Sequence, residues 1–432
     1  MDYTFALIGF AALVVLMAIG IPVGISLGVV GFVGFGMLVG WDPSVAMVGQ
    51  IVADNILNYN FSLLPLFILM GNLIAQSRMS SELFSAAHAF VGHWRGGLAH
   101  ATIVSCGAFS AVCGSSMATA ATMSKVAIPE MRRYGYSDRL ALASVAAGGT
   151  LGMLIPPSVV LIIYGFLTNT DIAQLFIAGI APGVLGVALY SLAVTATTTF
   201  DPSAGPRSRL GTLRERLAAL KKVWPVVFLF FLILGGIYGG IFTPNEAAGV
   251  GAASAMIFAL ARRTLTWSSL LVITVETMRT TAMMFFLLFG ALLFSNFLSV
   301  SGGAGALEQW IVGLDLSPVA LIVVIVGVYL VLGMLLESLS MILLTVPLLL
   351  PVVTAVGIDP VWFGIIVVVA TEIGLITPPV GLNVFVLRAI FPDVSINEAF
   401  KGILPFFLAD MVRLALIIAI PAIALYLPSL MR

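Results

Sequence analysis

Charge is what this chain has least of. Asp, Glu, Lys and Arg make up 9% of its 432 residues, against 61% hydrophobic ones. A soluble domain carries about 25% charged and about 45–50% apolar residues. So few charges cannot cover a water-exposed surface of this size, which leaves the lipid bilayer as the solvent. The basic and acidic residues, 19 of each, cancel, so there is no basic footprint for nucleic acid. Histidine is scarce: His88, His93 and His100 cluster beside Arg95 at no metal-binding spacing and are assigned to a membrane interface. The two cysteines, Cys106 and Cys113, share one apolar run. On a helix they stand about 10 Å apart, too far for a disulfide, and read as small packing residues. A GxxxxGK[ST] phosphate loop is missing, which argues against ATP hydrolysis. No nucleophile–base pair lies in the apolar stretches, which argues against a membrane-embedded enzyme. The N-terminus lacks a basic n-region and a small-residue cleavage pattern, so the first run reads as a membrane helix and not a leader.

What is present is a succession of apolar runs, from 3–19 to 405–426, near the roughly 20 residues a spanning helix needs. Basic residues mark the cytoplasmic side. The longest polar stretch, 201–222, carries Arg207, Arg209, Arg214, Arg216, Lys221 and Lys222 and is placed inside. Counting spans from it puts Arg262 and Arg263, Arg132, Arg133 and Arg139, and Arg78 and Arg95 inside too. The segment 99–131 therefore begins and ends on one face, as a re-entrant hairpin does, with Gly114-Ser115-Ser116 at its tip. A matching segment, 318–356, is flanked by Asp315 and Asp359 and no basic residue. It enters from the opposite face, where both termini are also placed. The stretch 41–60 mixes Trp41, Asp54, Asn55 and Asn58 with apolar residues and suggests a surface helix.

The chain repeats itself. Pro22 meets Pro244, Ser116 meets Ser338, Pro129 meets Pro351, Gly135 meets Gly357, Gly152 meets Gly374, and Pro156-Pro157 meets Pro378-Pro379, each 222 positions on. Later matches drift slightly, Phe176, Gly179 and Pro182 meeting Phe400, Gly402 and Pro405. With hairpin flanks of opposite character the repeat is inverted, an organisation typical of secondary transporters with a midplane site. The expected fold is an all-α polytopic membrane protein of two inverted repeats. The first spans 1–200, with a hairpin at 97–131 and a broken helix at 137–167. A basic linker covers 201–222. The second spans 223–432, with a hairpin at 316–356 and a broken helix at 360–390.

Adjacent prolines inside an apolar span remove two backbone donors and force a break. Carbonyls freed in hydrocarbon cost several kcal/mol unless something satisfies them, and a bound cation or a neighbouring hairpin tip does so. Hydroxyls at the tips, Ser115, Ser116 and Thr119 in one repeat, Ser338 and Ser340 in the other, add oxygens, as do Thr377 and Asn383 at the second break. Converging helix N-termini suit an anionic substrate without a dedicated arginine. Glu337 and Glu372 are ionisable groups in apolar segments, hence candidates for ion coupling. Glu246 follows Thr243-Pro244-Asn245 at a helix start and reads as structural. Arg388, Asp410 and Arg413 are read as lying near the ends of late helices, the arginines snorkelling to the interface.

Gly-Ser-Ser at 114–116, Leu-Ile-Pro-Pro-Ser at 154–158, Thr-Pro-Asn-Glu-Ala-Ala at 243–248 and Ile-Thr-Pro-Pro-Val-Gly-Leu-Asn at 376–383 resemble the large membrane subunit of tripartite ATP-independent periplasmic (TRAP) transporters, DctM-like, over essentially the whole chain. The resemblance implies a scaffold with a mobile elevator domain in a bacterial inner membrane. It also implies sodium-coupled uptake of an organic acid, such as a C4-dicarboxylate or a sugar acid. Partners would be a soluble periplasmic substrate-binding protein and a separate small four-helix membrane subunit. One sodium site would involve Ser115, Ser116, Gly152, Ile155 and Pro156; the other Ser338, Gly374, Thr377 and Pro378. Substrate would lie near Thr119, Ser340 and Asn383. An alternative reading, resting on Glu337 and Glu372, is a proton-coupled or exchange organic-anion transporter that works without a binding protein.

Overall fold

The computed structural model describes residues 4–77, 79–207 and 212–431. Arg78 and Arg209, used above to assign sidedness, lie outside them. The described residues are helical, connected by turns and short loops. Five helices are each long and apolar enough to cross a membrane, Ile172–Phe200, Leu213–Tyr238, Trp267–Val300, Ser338–Ala355 and Ile396–Ala419. The pair Trp41–Ile56 and Tyr59–Ala75, bent by 63°, is together long and apolar enough for a broken span or a re-entrant loop. Helix Trp41–Ile56 buries only Ser44.

Each repeat contains one folded-back and one interrupted element. The first hairpin has arms Gly97–Cys113 and Ser116–Arg133, the second Pro318–Gly333 and Ser338–Ala355. The first interrupted helix runs Asp138–Thr150, through a 3-10 turn at Leu151–Met153, to Val159–Thr168; the second runs Pro360–Gly374 and then Leu382–Ile390. Both Pro-Pro bonds, Pro156-Pro157 and Pro378-Pro379, are cis. The halves before the breaks are wholly enclosed from Leu140 to Thr150 and from Val361 to Gly374. Small residues make this possible in the first: Ala141, Ala143, Ala146, Ala147, Gly148 and Gly149 let neighbouring helices approach closely, which is how helices associate where lipid is as apolar as leucine.

The hairpins enter from opposite faces. The base of the first meets the polar stretch after Phe200: the Gly96 amide donates to the Gly205 carbonyl at 3.0 Å, and the Tyr136 hydroxyl donates to the Pro206 carbonyl at 2.7 Å. At the far end of the first interrupted helix, the Tyr164 hydroxyl donates to the Pro360 carbonyl at 2.6 Å, beside the base of the second hairpin. The mirror contact ties Arg132, at the first hairpin's base, to Asp393, past the end of the second interrupted helix, at 2.6 Å.

Several basic residues tie neighbouring elements together. Arg262 pairs with Glu82 at 2.5 Å and donates to the Lys222 carbonyl at 2.9 Å. Arg216 donates to the Ala89 carbonyl at 3.2 Å, and Arg139 to the Lys401 carbonyl at 2.9 Å.

The repeats interlock. The second arm of each hairpin packs on the far half of the other repeat's interrupted helix: Ser338–Ala355 on Val159–Thr168, Ser116–Arg133 on Leu382–Ile390. Outside this core, Val23–Val39 packs on Trp267–Val300, and Pro244–Ala261 on Leu63–Ala75, again across the repeats. Thr243 and Glu246 form a reciprocal cap at the start of Pro244–Ala261, with the Glu246 amide donating to the Thr243 hydroxyl at 3.3 Å. This agrees with the structural reading of Glu246.

Candidate functional site

The two hairpin tips face each other across a cavity of about 270 Å3. Gly114, Ser115, Ser116 and Met117 line it from one tip, Glu337, Ser338 and Leu339 from the other, and Met153 and Leu375 from the two breaks. Val159 and Val160 of the first interrupted helix also line it, and the outer helices contribute Ile68 and Asn72 from one and Thr280, Met283 and Met284 from another.

Gly114 makes the first tip possible. Its φ of +65° is left-handed, and a Cβ there would sit 2.7 Å from the Pro157 carbonyl oxygen. The tip is thereby pressed against the first break. Ser115 caps the second arm, its hydroxyl accepting from the Ala118 amide at 3.4 Å. The matching cap in the other repeat is Glu337, whose carboxylate accepts from the amides of Leu339 and Ser340 at 3.1 and 3.2 Å. A carboxylate at a helix N-terminus is favoured by the macrodipole. The two tips are thus alike in geometry and unlike in charge. Among the described residues, Glu337 is the one charged group lining the cavity.

The breaks lie directly behind the tips. A Cβ on Gly152 would come 3.0 Å from the Ser115 carbonyl oxygen and 3.3 Å from the Ser110 hydroxyl. That hydroxyl is buried and lacks a hydrogen-bond partner. In the second repeat Gly374 meets Gly333 backbone to backbone; a Cβ on Gly374 would lie 2.6 Å from the Gly333 Cα. Thr377 donates to the Ile373 carbonyl at 2.5 Å, and Ser158 turns back likewise onto the Met153 carbonyl. Ile155 packs beside Gly107 and Gly183. Pro156 is buried, whereas Pro378 is exposed.

The residues expected at the substrate stand behind the cavity and do not line it. Asn383 is wholly buried; its amide donates to the Ser116 hydroxyl at 2.9 Å and to the Ala146 carbonyl at 3.0 Å. Ser340 is buried, its hydroxyl 3.4 Å from the Glu337 carboxylate. Thr119 is fully enclosed, with no hydrogen-bond partner for its hydroxyl.

One expectation fails. Arg413 does not snorkel, and with Asp410 it sits inside the protein at 0% exposure. The helix Ile396–Ala419 turns both toward Glu372, and Arg413 forms ion pairs with Glu372 and, at 2.9 Å, with Asp410. Enclosed there, the guanidinium is paired with two anions, without which its burial would be strongly unfavourable. His100 is 2% exposed, its ring edge-on to Trp94 with centroids 5.3 Å apart. Arg388 is exposed, in keeping with a surface position.

Sequence reasoning missed Ser110, Gly333, Asn72 and Thr280. The repeat held no signal for Gly333, the last residue of its hairpin arm, because the position 222 residues earlier holds Ala111.

Comparison with known proteins agrees with this architecture. Residues 10–423 match the family described as the tripartite ATP-independent periplasmic transporter, DctM component. The chain is 38% identical over 374 residues to the C4-dicarboxylate TRAP transporter large permease protein DctM of Pseudomonas aeruginosa, covering 86% of this chain and 87% of that one. It is 33% identical over 443 residues to the protein of the same description from Rhodobacter capsulatus, covering 99% of each. Among solved structures, the YdaH transporter of Alcanivorax borkumensis has the same fold, with a TM-score of 0.56 at 17% identity over 87% of this chain and 86% of that one. Like its relatives, the chain is a transporter permease subunit and not an enzyme. An all-helical, internally repeated membrane protein with matching sequence along nearly its whole length, it belongs to the DctM family of TRAP transporter large permeases.

Proposed function

We propose that the cavity between the hairpin tips carries a small organic acid inward, driven by a sodium gradient. The observation that supports this is the meeting of two oxygen-bearing tips and two proline breaks around one small chamber. Its volume lies just below the range of about 300–1,000 Å3 usual for ligand pockets, which suits a compact substrate such as a C4-dicarboxylate. The charge of the lining points the same way. A carboxylate substrate entering a chamber whose one charged group is Glu337 meets repulsion, and cations bound at the breaks offset it. Sodium, a hard ion, takes hydroxyl and carbonyl oxygens: Ser115, Ser116 and the Gly152–Pro156 backbone for one ion, Ser338, Gly374, Thr377 and Pro378 for the other.

In this reading the interlocked hairpins and interrupted helices move as one body against the outer helices, an elevator-type motion that exposes the chamber to each side in turn. A periplasmic binding protein delivers the substrate and a small four-helix subunit packs on the outer helices. The basic stretch 201–222 is cytoplasmic, which puts both termini outside the inner membrane.

The test is uptake into proteoliposomes holding both membrane subunits, with the binding protein added. Uptake is expected to require an inward sodium gradient and the binding protein. Equal uptake from a proton gradient in sodium-free buffer overturns the coupling. The position of Glu337 in the cavity favours one second reading, proton coupling. Under it, Glu337→Gln abolishes a proton-driven component while the protein folds normally.

A further inference from the structure

Behind the two breaks, away from the cavity, five buried polar side chains form a single file. Thr150, Tyr190, Asp410, Arg413 and Glu372 are each 0% exposed, and none lines the cavity. Thr150 ends the first half of one interrupted helix, and Glu372, 222 positions on, lies two residues before the end of its counterpart. Tyr190 and Arg413 also match, at the same drifted spacing as Pro182 and Pro405. The same contact is therefore made twice in different chemistry. In the first repeat the Thr150 and Tyr190 hydroxyls lie 3.0 Å apart. In the second, Arg413 donates to Glu372.

Asp410 joins the two. Its carboxylate accepts from the Tyr190 hydroxyl at 2.5 Å and pairs with Arg413 at 2.9 Å. The guanidinium also lies 5.8 Å from the centre of the Tyr190 ring. Gly186 makes room for it, since a Cβ there would be 2.4 Å from an Arg413 nitrogen.

We propose that these five are positioning residues that tie the two breaks together, so that an ion bound at one raises affinity at the other. The inference rests on the reading that cations bind at the breaks. Its physical basis is the cost of partial opening. In a low-dielectric interior, breaking a link at Asp410 or Arg413 leaves a buried charge under-paired, so the file resists partial opening. Thr150 leads directly into the turn that sets Gly152 against Ser115, and Glu372 into Gly374 against Gly333. A shift at one break thus reaches the other through groups that are costly to separate, and this file is the element whose two arrangements the coupling would use.

The experiment is equilibrium binding of radiolabelled sodium to the purified complex of both membrane subunits, at constant ionic strength with choline. The intact protein should bind cooperatively, with a Hill coefficient approaching about 2, the number of sites. Tyr190→Phe removes the hydroxyl that joins Thr150 to Asp410 but leaves the ring under Arg413. It should lower the coefficient to about 1, each site binding alone, while the melting curve stays cooperative. Thr150→Val should do the same, and Thr150→Ser, which keeps the hydroxyl, should retain cooperativity. Cooperative binding that survives in both Tyr190→Phe and Thr150→Val overturns the tie and leaves the ion sites standing. Absence of saturable sodium binding in the unaltered protein overturns the ion sites and the tie together. If Tyr190→Phe fails to fold, the Thr150→Val and Thr150→Ser comparison decides alone.

Discussion

The side chains of Ser116 and Asn383 meet across 267 residues of sequence, the Asn383 amide donating to the Ser116 hydroxyl at 2.9 Å. The first hairpin's tip is thereby fastened to the second interrupted helix. Asn383→Leu puts at this site the residue found at the matching position, Leu161. It strands the Ser116 hydroxyl and the Ala146 carbonyl, at a cost of about 1–3 kcal/mol for buried groups left unpaired. A lowered unfolding temperature of the purified protein is expected; a melting curve equal to that of the unaltered chain would show that the contact carries no stability.

Ser116→Ala and Ser338→Ala test the tips as ion ligands. Losing one neutral oxygen, about 0.5–1.5 kcal/mol by analogy with a hydrogen bond, should raise the sodium concentration for half-maximal uptake roughly 2- to 10-fold. The maximal rate at saturating sodium should change less. Uptake measured across a sodium series checks this, and an unmoved midpoint in both variants removes these hydroxyls from the site.

Gly374→Ala forces a methyl group against the Gly333 backbone, which has no flexible end to yield. Overpacking of this kind costs about 1–3 kcal/mol. Uptake should fall severely and thermal stability drop. Gly135→Ala serves as the contrast, since nothing lies within 4 Å of a Cβ there and only its left-handed backbone, φ +76°, is strained. If Gly374→Ala proves the milder of the two in uptake, the close approach of the helices is not what the site needs.

Arg413→Met leaves Glu372 and Asp410 enclosed without their cation. Removing one partner of a buried ion pair costs about 3–5 kcal/mol, so the protein should express poorly or melt early. Adding Glu372→Gln and Asp410→Asn to the same chain should recover much of the stability, because neutral groups can replace a buried ion network. Thermal unfolding of the single and triple variants separates this from a simple packing loss, for which the triple variant would be no better than the single one.

The fold class was legible because its signals are local and doubled. Pro156-Pro157 and Pro378-Pro379 lack the donors a helix needs, and scarcity of charge names the solvent. The cavity's outer wall was not legible. Asn72 and Thr280 come from helices far apart in sequence, and nothing in a nearly uniform apolar helix states which face meets which neighbour. Arg413 misled for a related reason. An arginine in an apolar run looks the same whether it reaches for the interface or finds two carboxylates inside, and only the drift of the repeat, which aligns it with Tyr190, hints at the second. The exposure of Pro378 beside the burial of Pro156 was equally out of reach, since it depends on how the two halves are shifted relative to each other.

The packing of each hairpin's second arm on the other repeat's interrupted helix means that neither half of this chain is a self-sufficient module. Severed within 201–222, each portion would keep its own break and tip together, as Gly114 keeps to Pro157, but would bare the apolar helix face that its counterpart now covers.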